Sequence, residues 1–223
     1  MEIAGDGMLR KLIIGIVMAA ASAWASAQGA DVGLVNLVVG DVTFAPLSGS
    51  PGKVQAFMRL RDGDRVTVPP GGQVRIVFFD GARQERWSGP ASFRAAKAQS
   101  EPISGKPTDV QVLPASVPQR ISRVPELMQN AKLGGIQVRG LTGRQQASIV
   151  QQESVRESRI TYDRMRAEMP ADDITPELFL YSALEEYLLY DDMKVVVEEM
   201  LRRQPGNEDV RSLAAYVDSR LKR

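Results

Sequence analysis

The period of the apolar residues changes once along this chain, and that change limits the possible folds more than any other feature. In the first part of the chain, apolar and polar residues alternate in short runs separated by glycine and proline, which is typical of strands and turns. After residues 140–143 the apolar residues recur at helical spacing. Strands followed by helices predict an α+β protein. We therefore expect an N-terminal antiparallel β-sandwich or partly open barrel at residues 28–142 and a C-terminal helical bundle at residues 143–223.

The N-terminal part is predicted to consist of short strands. They are expected at residues 32–39, 42–44, 54–60, 65–68, 73–79, 82–87, 91–96, 109–113 and 136–139. The strand at 73–79 has apolar residues on both faces, which predicts a central strand that is covered on both sides. Four glycines fall in turns, where we expect backbone angles that other residues avoid: Gly63, Gly71, Gly72 and Gly81.

Helices are predicted after these strands. They are expected at residues 126–133, 145–169 and 191–203, and from Thr175 and Asn207 onward. Thr175-Pro176-Glu177 combines a hydroxyl cap, a proline at the first helical position and an acid in the first turn. Asn207 is expected to cap the last helix. Prolines interrupt residues 97–125, so most of that segment is predicted to be loop or extended edge.

The N-terminus resembles a cleavable export signal. Arg10 and Lys11 supply the positive charge, residues 12–21 are apolar, and Ala25-Ser26-Ala27 has the small-x-small pattern that a signal peptidase accepts. The apolar run is shorter than the roughly 20 residues that a membrane-spanning helix needs. We expect residues 1–27 to be a signal peptide cleaved after Ala27, leaving a periplasmic chain without a membrane span. An uncleaved anchor is the alternative.

Cysteine and histidine are both missing from the sequence. Without cysteine no disulfide holds the fold, which suits a bacterial periplasm better than a eukaryotic extracellular space. Without histidine, Ser-His-Asp and Cys-His catalysis and His-ligated zinc are excluded. Acid–base chemistry by carboxylates or lysine stays open.

The two halves of the chain differ in charge. Residues 28–143 contain 14 basic and 9 acidic residues, whereas residues 144–223 contain 12 basic and 16 acidic residues. This asymmetry predicts that the halves attract each other or select different partners. Neither charge is large enough to indicate nucleic-acid binding.

One stretch carries a family resemblance. Leu60-Arg61-Asp62-Gly63-Asp64-Arg65-Val66 and Pro70-Gly71-Gly72-Gln73-Val74-Arg75-Ile76-Val77-Phe78-Phe79-Asp80-Gly81 resemble the FecR-type domain, best known from periplasmic portions of iron-dicitrate sensor proteins. The resemblance covers roughly residues 34–96. It implies a sensory or scaffold role and brings no catalytic residues. Such sensors carry a cytoplasmic anti-sigma region and a membrane helix before this domain; this sequence shows neither, so we expect no direct transmembrane signalling.

The tail from Thr175 is loosely similar to a tetratricopeptide hairpin, with a plain three-helix bundle as the alternative.

The best candidate binding residues surround the turn Ser88-Gly89-Pro90. Trp87 and Phe93 flank this turn, with Arg86 and Arg94 beside them. An aromatic pair bordered by arginine suits an anionic ligand or a partner strand. In the alternative interpretation both rings lie in the sheet core and the arginines line a solvated face.

Pairs of acids are candidate metal ligands or catalytic groups, but their spacing favours neither role. Asp172-Asp173 and Asp191-Asp192 lack the spacing of a calcium loop and precede helices, where acids are favourable. The adjacent acids of Glu185-Glu186 and Glu198-Glu199 point in different directions on a helix, unlike a glycosidase pair. We predict no catalytic, cofactor-binding or metal-binding residue.

These features predict an exported, non-enzymatic β module that binds a protein or another envelope component in a scaffold or sensory role. The helical tail is expected to form a second protein-interaction surface. The alternative is a protein that binds peptidoglycan or carbohydrate, with carboxylate-based hydrolysis. No cofactor and no nucleic acid are expected to bind.

Overall fold

Strands precede helices in this chain, as the apolar pattern predicts. The structure, a computed structural model, describes residues 29–132 and 149–222. The strands are β1 (Asp31–Val39), β2 (Thr43–Ala45), β3 (Gly52–Lys53), β4 (Arg59–Arg61), β5 (Arg65–Val68), β6 (Gln73–Phe78), β7 (Arg83–Ser88), β8 (Ala91–Ala95), β9 (Ser100–Ser104) and β10 (Asp109–Val112). The helices are α1 (Ser116–Ile121), α2 (Val124–Lys132), α3 (Ile149–Glu168), α4 (Thr175–Glu185), α5 (Tyr190–Arg203) and α6 (Glu208–Leu221). The export signal, the strand expected at 136–139 and the boundary expected at 140–143 lie outside the described residues.

The strands form two antiparallel sheets of five strands each. The inner sheet has the order β10-β7-β6-β1-β4, and the outer sheet has the order β3-β2-β5-β8-β9. Apolar side chains from both sheets meet in a shared core that includes Val35, Val66 and Phe93. The predicted α+β class, with antiparallel sheets before the helices, is confirmed.

The inner sheet is covered on both faces, so the molecule has three layers. One face meets the outer sheet, and the other contributes Leu34 and Val77 to a second core that the helices complete. The outer sheet is covered on one face, as the alternation of exposed and buried residues along β5 shows. The strand β6 lies between β1 and β7 and has five consecutive buried residues, which confirms the central strand predicted there.

The strand predicted at residues 54–60 is wrong. The structure has β3 before this segment and β4 at its end, and these two strands belong to different sheets. The intervening residues carry the chain from the outer to the inner sheet. On this path the Val54 amide donates to the Val42 carbonyl at 2.9 Å, and the Phe57 amide donates to the Val35 carbonyl at 2.7 Å. The alternation of apolar and polar residues does not show where a chain passes from one sheet to another.

Besides β10, which was expected, two elements lie in the segment predicted to be loop or extended edge. β9 contains Pro102, and the proline is tolerated because β9 is an edge strand of the outer sheet. α1 contains Pro118 in its first turn, where the missing amide would have no helical partner in any case. A proline count alone does not exclude elements at such positions.

The turn glycines divide into two groups. Gly63 and Gly71 have φ values of 90° and 76°, as expected from the sequence. Gly72 and Gly81 are not among the residues with positive φ, so the expectation of unusual backbone angles is wrong for them. Gly81 is required for another reason, because a Cβ there would overlap the backbone carbonyl of Ala98.

The helix starts confirm one predicted cap and correct another. The Asn207 side chain accepts hydrogen bonds from the amides of Asp209 at 3.0 Å and Val210 at 3.2 Å. Thr175 is instead the first residue of α4, and its N-cap position is Ile174 without a side-chain cap bond. No helix in the described part of the chain has the length and apolarity needed to cross a bilayer.

Ion pairs connect the basic first half to the acidic second half. They join Arg75 and Arg86 to Asp172, Arg120 and Arg123 to Glu186, and Lys132 to Asp209. The opposite net charges of the halves therefore meet at the inner sheet, through Arg75 and Arg86, and between helices, through the other three basic residues.

Candidate functional site

The inner sheet carries a cluster of polar side chains on the face toward the helices. Neighbouring strands supply them: Asn36 from β1, Arg75 from β6, Gln84 and Arg86 from β7, and Gln111 from β10. Arg75 lies opposite Arg86, and Gln84 lies opposite Gln111, in the strand register. Antiparallel pairing brings these side chains together although they are far apart in the sequence.

Gln84 is the centre of a buried hydrogen-bond network between the sheet and α4. Its Oε1 accepts from Asn36 Nδ2 at 3.2 Å and from the Thr175 hydroxyl. Its Nε2 donates to Gln111 Oε1 at 3.1 Å and to the Asp173 carboxylate. Asn36 Nδ2 also donates to the Thr175 hydroxyl. Buried polar groups are costly unless they are bonded, so this network fixes how the helices sit on the sheet.

Two arginines of the inner sheet bind Asp172 in the loop between α3 and α4. The Arg75 side chain is only 1% exposed, and its Nη2 lies 3.1 Å from Asp172 Oδ2. Arg86 Nη2 lies 3.0 Å from Asp172 Oδ1 and 3.1 Å from Oδ2. Gln204 Nε2 donates to the Asp172 carbonyl at 2.9 Å, which ties α5 to the same loop.

Asp173 is the most deeply buried acid of this loop. Burial raises the pKa of its carboxyl, while hydrogen bonds from Thr175 and Gln84 and the charge of Arg166 oppose that shift. Its Oδ1 accepts from the Thr175 amide at 2.9 Å and lies 3.5 Å from Arg75 Nη1. Asp173 therefore performs the capping role that the sequence suggested for Thr175, as well as contacting the sheet.

A second buried acid, Glu177, holds the helices together behind this loop. Its carboxylate lies 3.1 Å from Arg166 Nη1 and 3.2 Å from Arg203 Nε, and its side chain is 0% exposed. Tyr162 donates to it at 3.3 Å. Burial raises the pKa of the Tyr162 hydroxyl, and the Glu177 carboxylate raises it further. These partners give the buried acid a structural role.

A cleft of about 660 Å³ opens beside the buried network, where the inner sheet meets the end of α3. It is lined by Gln73, Arg86, Ser88, Thr108, Asp109, Gln111, Glu168, Met169 and Pro170. Most of these side chains are polar, and no aromatic side chain is among them. The chemistry of the cleft suits polar groups such as backbone amides and carbonyls.

The edge of the inner sheet forms one wall of this cleft. β10 pairs with β7 on one side, and its other side has no strand partner among the described residues. Its side chains alternate: Asp109 and Gln111 line the cleft, whereas Val110 and Val112 are 38% and 82% exposed. An edge strand with exposed valines is a template for a further strand.

The four residues singled out from the sequence do not form one site. Trp87 and Phe93 are fully buried in the core between the sheets and stack with ring centroids 4.5 Å apart. Neither ring is accessible to a ligand, because each packs against the other and the surrounding core. Arg86 lines the cleft, and Arg94 is exposed on the outer sheet.

The acidic pairs have structural contacts, although Asp172 binds two arginines of the sheet rather than capping a helix. Asp191 and Asp192 lie in the first turn of α5. Glu199 contacts Arg202 and Arg203, and Glu198 lies 3.7 Å from Lys194. Within residues 29–132 and 149–222, no group of three or more acids is arranged to hold a metal ion.

The buried network was not predicted from the sequence. Its one local signal is a polar residue inside an otherwise apolar strand, as Asn36 is within β1. The partners Gln84 and Thr175 are 91 residues apart, so no spacing rule connects them. No family model matches this chain, and no curated protein or solved structure matches it either.

Proposed function

We propose that this chain is an exported, non-enzymatic binding module that recognises an extended segment of a protein partner. The partner segment binds along β10 as an additional strand of the inner sheet, beside the cleft. A scaffold or sensory role in the periplasm, as the FecR resemblance implies, is consistent with such binding.

The observation that carries this proposal is that one edge of β10, here called the free edge, has no strand partner among the described residues. An added strand forms backbone hydrogen bonds with the edge strand. The binding protein then selects the sequence of the added strand through contacts with its alternate side chains. Val110 and Val112 offer apolar contact on one face of the sheet, and both are exposed. Natural edge strands are often protected by short length, charge or proline. β10 has four residues and one acid, Asp109, which lines the cleft, and its two outward positions are uncharged valines.

The cleft supports the same mode of binding. Asp109 and Gln111 line it and belong to β10 itself. Since successive side chains of a strand point to opposite faces, a strand beside β10 would direct alternate side chains toward the cleft. The hydroxyl, amide and charged groups there would then select polar side chains of the partner.

Carbohydrate binding is less well supported at this cleft. Sugar-binding sites commonly stack an aromatic ring on the sugar, and the lining has none. The missing histidine and cysteine support a role in binding over catalysis. Sedimentation with purified cell-wall sacculi, together with a scan for released muropeptides, separates the two functions.

The test is in-cell crosslinking followed by capture of the tagged, intact protein. Val110→Lys and Val112→Lys together place two charges on the free edge without burying them. We expect this double variant to lose its envelope partner at least tenfold relative to the wild type, while its melting temperature stays the same.

Val195→Lys is the matched control, because Val195 is also exposed (66%) but lies on α5. It is expected to capture the partner as the wild type does. Equal capture by the edge variant and the wild type would refute binding at β10.

A further inference from the structure

The solvent face of the outer sheet holds two arginines directly opposite each other. Arg65 of β5 is paired in register with Arg94 of β8, and both are exposed. Opposite side chains of an antiparallel pair have Cβ atoms about 5 Å apart, so the two positive charges repel. Within the described residues neither arginine lies at ion-pair distance from an acid, and this includes Glu101, which is opposite Arg94 on β9. Among the described residues, Glu101 is therefore the acid in register with this surface pair, and it forms no ion pair with either arginine.

The surroundings of this arginine pair are flat. The neighbouring exposed positions on the same face are Thr43 and Thr67, which lie opposite each other on β2 and β5. Their side chains are short and end in hydroxyl groups, which donate hydrogen bonds to anionic oxygens. A broad surface can therefore approach both guanidinium groups at once.

An exposed leucine lies at the end of this face. Leu47 follows β2 and is 76% exposed. Its side chain covers Gly63, whose amide donates to the carbonyl of Ala95, the residue after Arg94. Arginines beside an exposed apolar side chain combine charge attraction with apolar contact, which is how peripheral proteins bind membranes.

We propose that this face, defined by Leu47, Arg65 and Arg94, binds the surface of a membrane that contains anionic phospholipid. The phosphate groups bind the two guanidinium groups, and Leu47 enters the boundary between headgroups and acyl chains. The site is separate from β10, so this proposal does not depend on the proposed function.

The test is co-sedimentation of the purified protein with vesicles. All variants are expressed as the full chain, and mass spectrometry verifies that they share the same N-terminus. The wild type is expected to sediment with vesicles of phosphatidylglycerol and phosphatidylcholine, but not with phosphatidylcholine alone. Arg65→Gln with Arg94→Gln should weaken binding about thirtyfold, since each basic side chain near an anionic surface contributes about fivefold. Leu47→Ser should also weaken it.

Matched controls test whether binding depends on this face or on any exposed arginine or apolar side chain. Arg156→Gln with Arg164→Gln removes two exposed arginines of α3, and Val195→Ser removes an exposed apolar side chain of α5. Both controls should bind as the wild type does. Equal sedimentation of the wild type with both kinds of vesicle, or equal loss in the arginine control, would overturn the proposal. If the double variant does not fold, the salt dependence of the wild type tests the proposal. Binding of the wild type to the anionic vesicles must fall as salt rises, because salt screens exposed charges.

Discussion

Single glycines in this fold are required for two different physical reasons. Gly71 has a φ of 76°, and nothing lies within 4 Å of the position that a Cβ would occupy. Gly81 lacks a positive φ, but a Cβ there would overlap the Ala98 carbonyl. Gly71 is needed for its backbone angle, whereas Gly81 is needed because the chain passes close to Ala98.

Alanine substitutions separate these causes. Gly71→Ala is expected to lower the free energy of unfolding by about 1 kcal/mol, the cost of a left-handed angle in a residue with a Cβ. Gly81→Ala should lower it by more than about 1 kcal/mol, because the turn must move away from Ala98. Gly206→Ala, with open space and no positive φ, should leave it unchanged or slightly higher. Urea unfolding at 25 °C measures all three; equal stability of the Gly81 and Gly206 variants would contradict the close approach.

The buried carboxyl of Asp173 is expected to make stability depend on pH. Burial raises its pKa above the ordinary value of 3.8, so the native state keeps the proton at pH values where the unfolded chain has lost it. This contribution to stability is therefore complete below the ordinary value and is lost as pH rises through the native pKa. Asp173→Asn removes the titrating group.

Urea unfolding of the wild type and Asp173→Asn, from pH 4 to pH 8, tests this expectation. The difference in unfolding free energy, wild type minus variant, should fall with rising pH and then become constant. Asp64 and Glu185, whose carboxyl pKa values burial also raises, are present in both proteins and cancel in the difference. A difference that grows with pH would show that hydrogen bonds and Arg166 outweigh burial.

The start of α6 depends on the side chain of Asn207. Asn207→Ala should lower the unfolding free energy by about 1 kcal/mol, since two amides of the first turn lose their acceptor. Asn207→Asp keeps the acceptor and adds a charge that the helix dipole favours, so it should restore the loss. Thermal unfolding of both variants measures this. Equal stability of the alanine variant and the wild type would rule out the cap.

Local elements were predictable from the sequence where their causes are local. The strand at β6 and the cap at Asn207 depend on neighbouring residues, and both are confirmed. The strand predicted at residues 54–60 failed because the chain changes sheets there. The cap predicted at Thr175 failed because its hydroxyl binds Gln84, which is distant in sequence.

For the whole molecule, the contact between the inner sheet and the helices depends on Arg75. Arg75→Ala should lower the unfolding free energy by about 3 kcal/mol, because it leaves the buried Asp173 with one charged partner fewer. Arg94→Ala removes an exposed arginine without an ion pair among the described residues and should change stability by less than about 0.5 kcal/mol. Chemical unfolding compares the two. Similar effects of both substitutions would show that the buried pair does not hold the layers together.

The candidate site was less predictable than the fold. Trp87 and Phe93 were candidate binding residues, with burial in the sheet core as the alternative. Both rings stack in the core, and the turn between them joins the two sheets. Only Arg86 of the four predicted residues lines the cleft. The free edge of β10 becomes visible only once strand order is known, since a sequence does not state which strands have one neighbour.

Site-specific photo-crosslinking in cells tests the central claim most directly. A crosslinking amino acid replaces Val112 on β10 or, as the reference, Val195 on α5; both positions are exposed. Binding at the sheet edge predicts a discrete adduct with an envelope protein from position 112 and none from position 195. No adduct from position 112, or the same adduct from both positions, would contradict it.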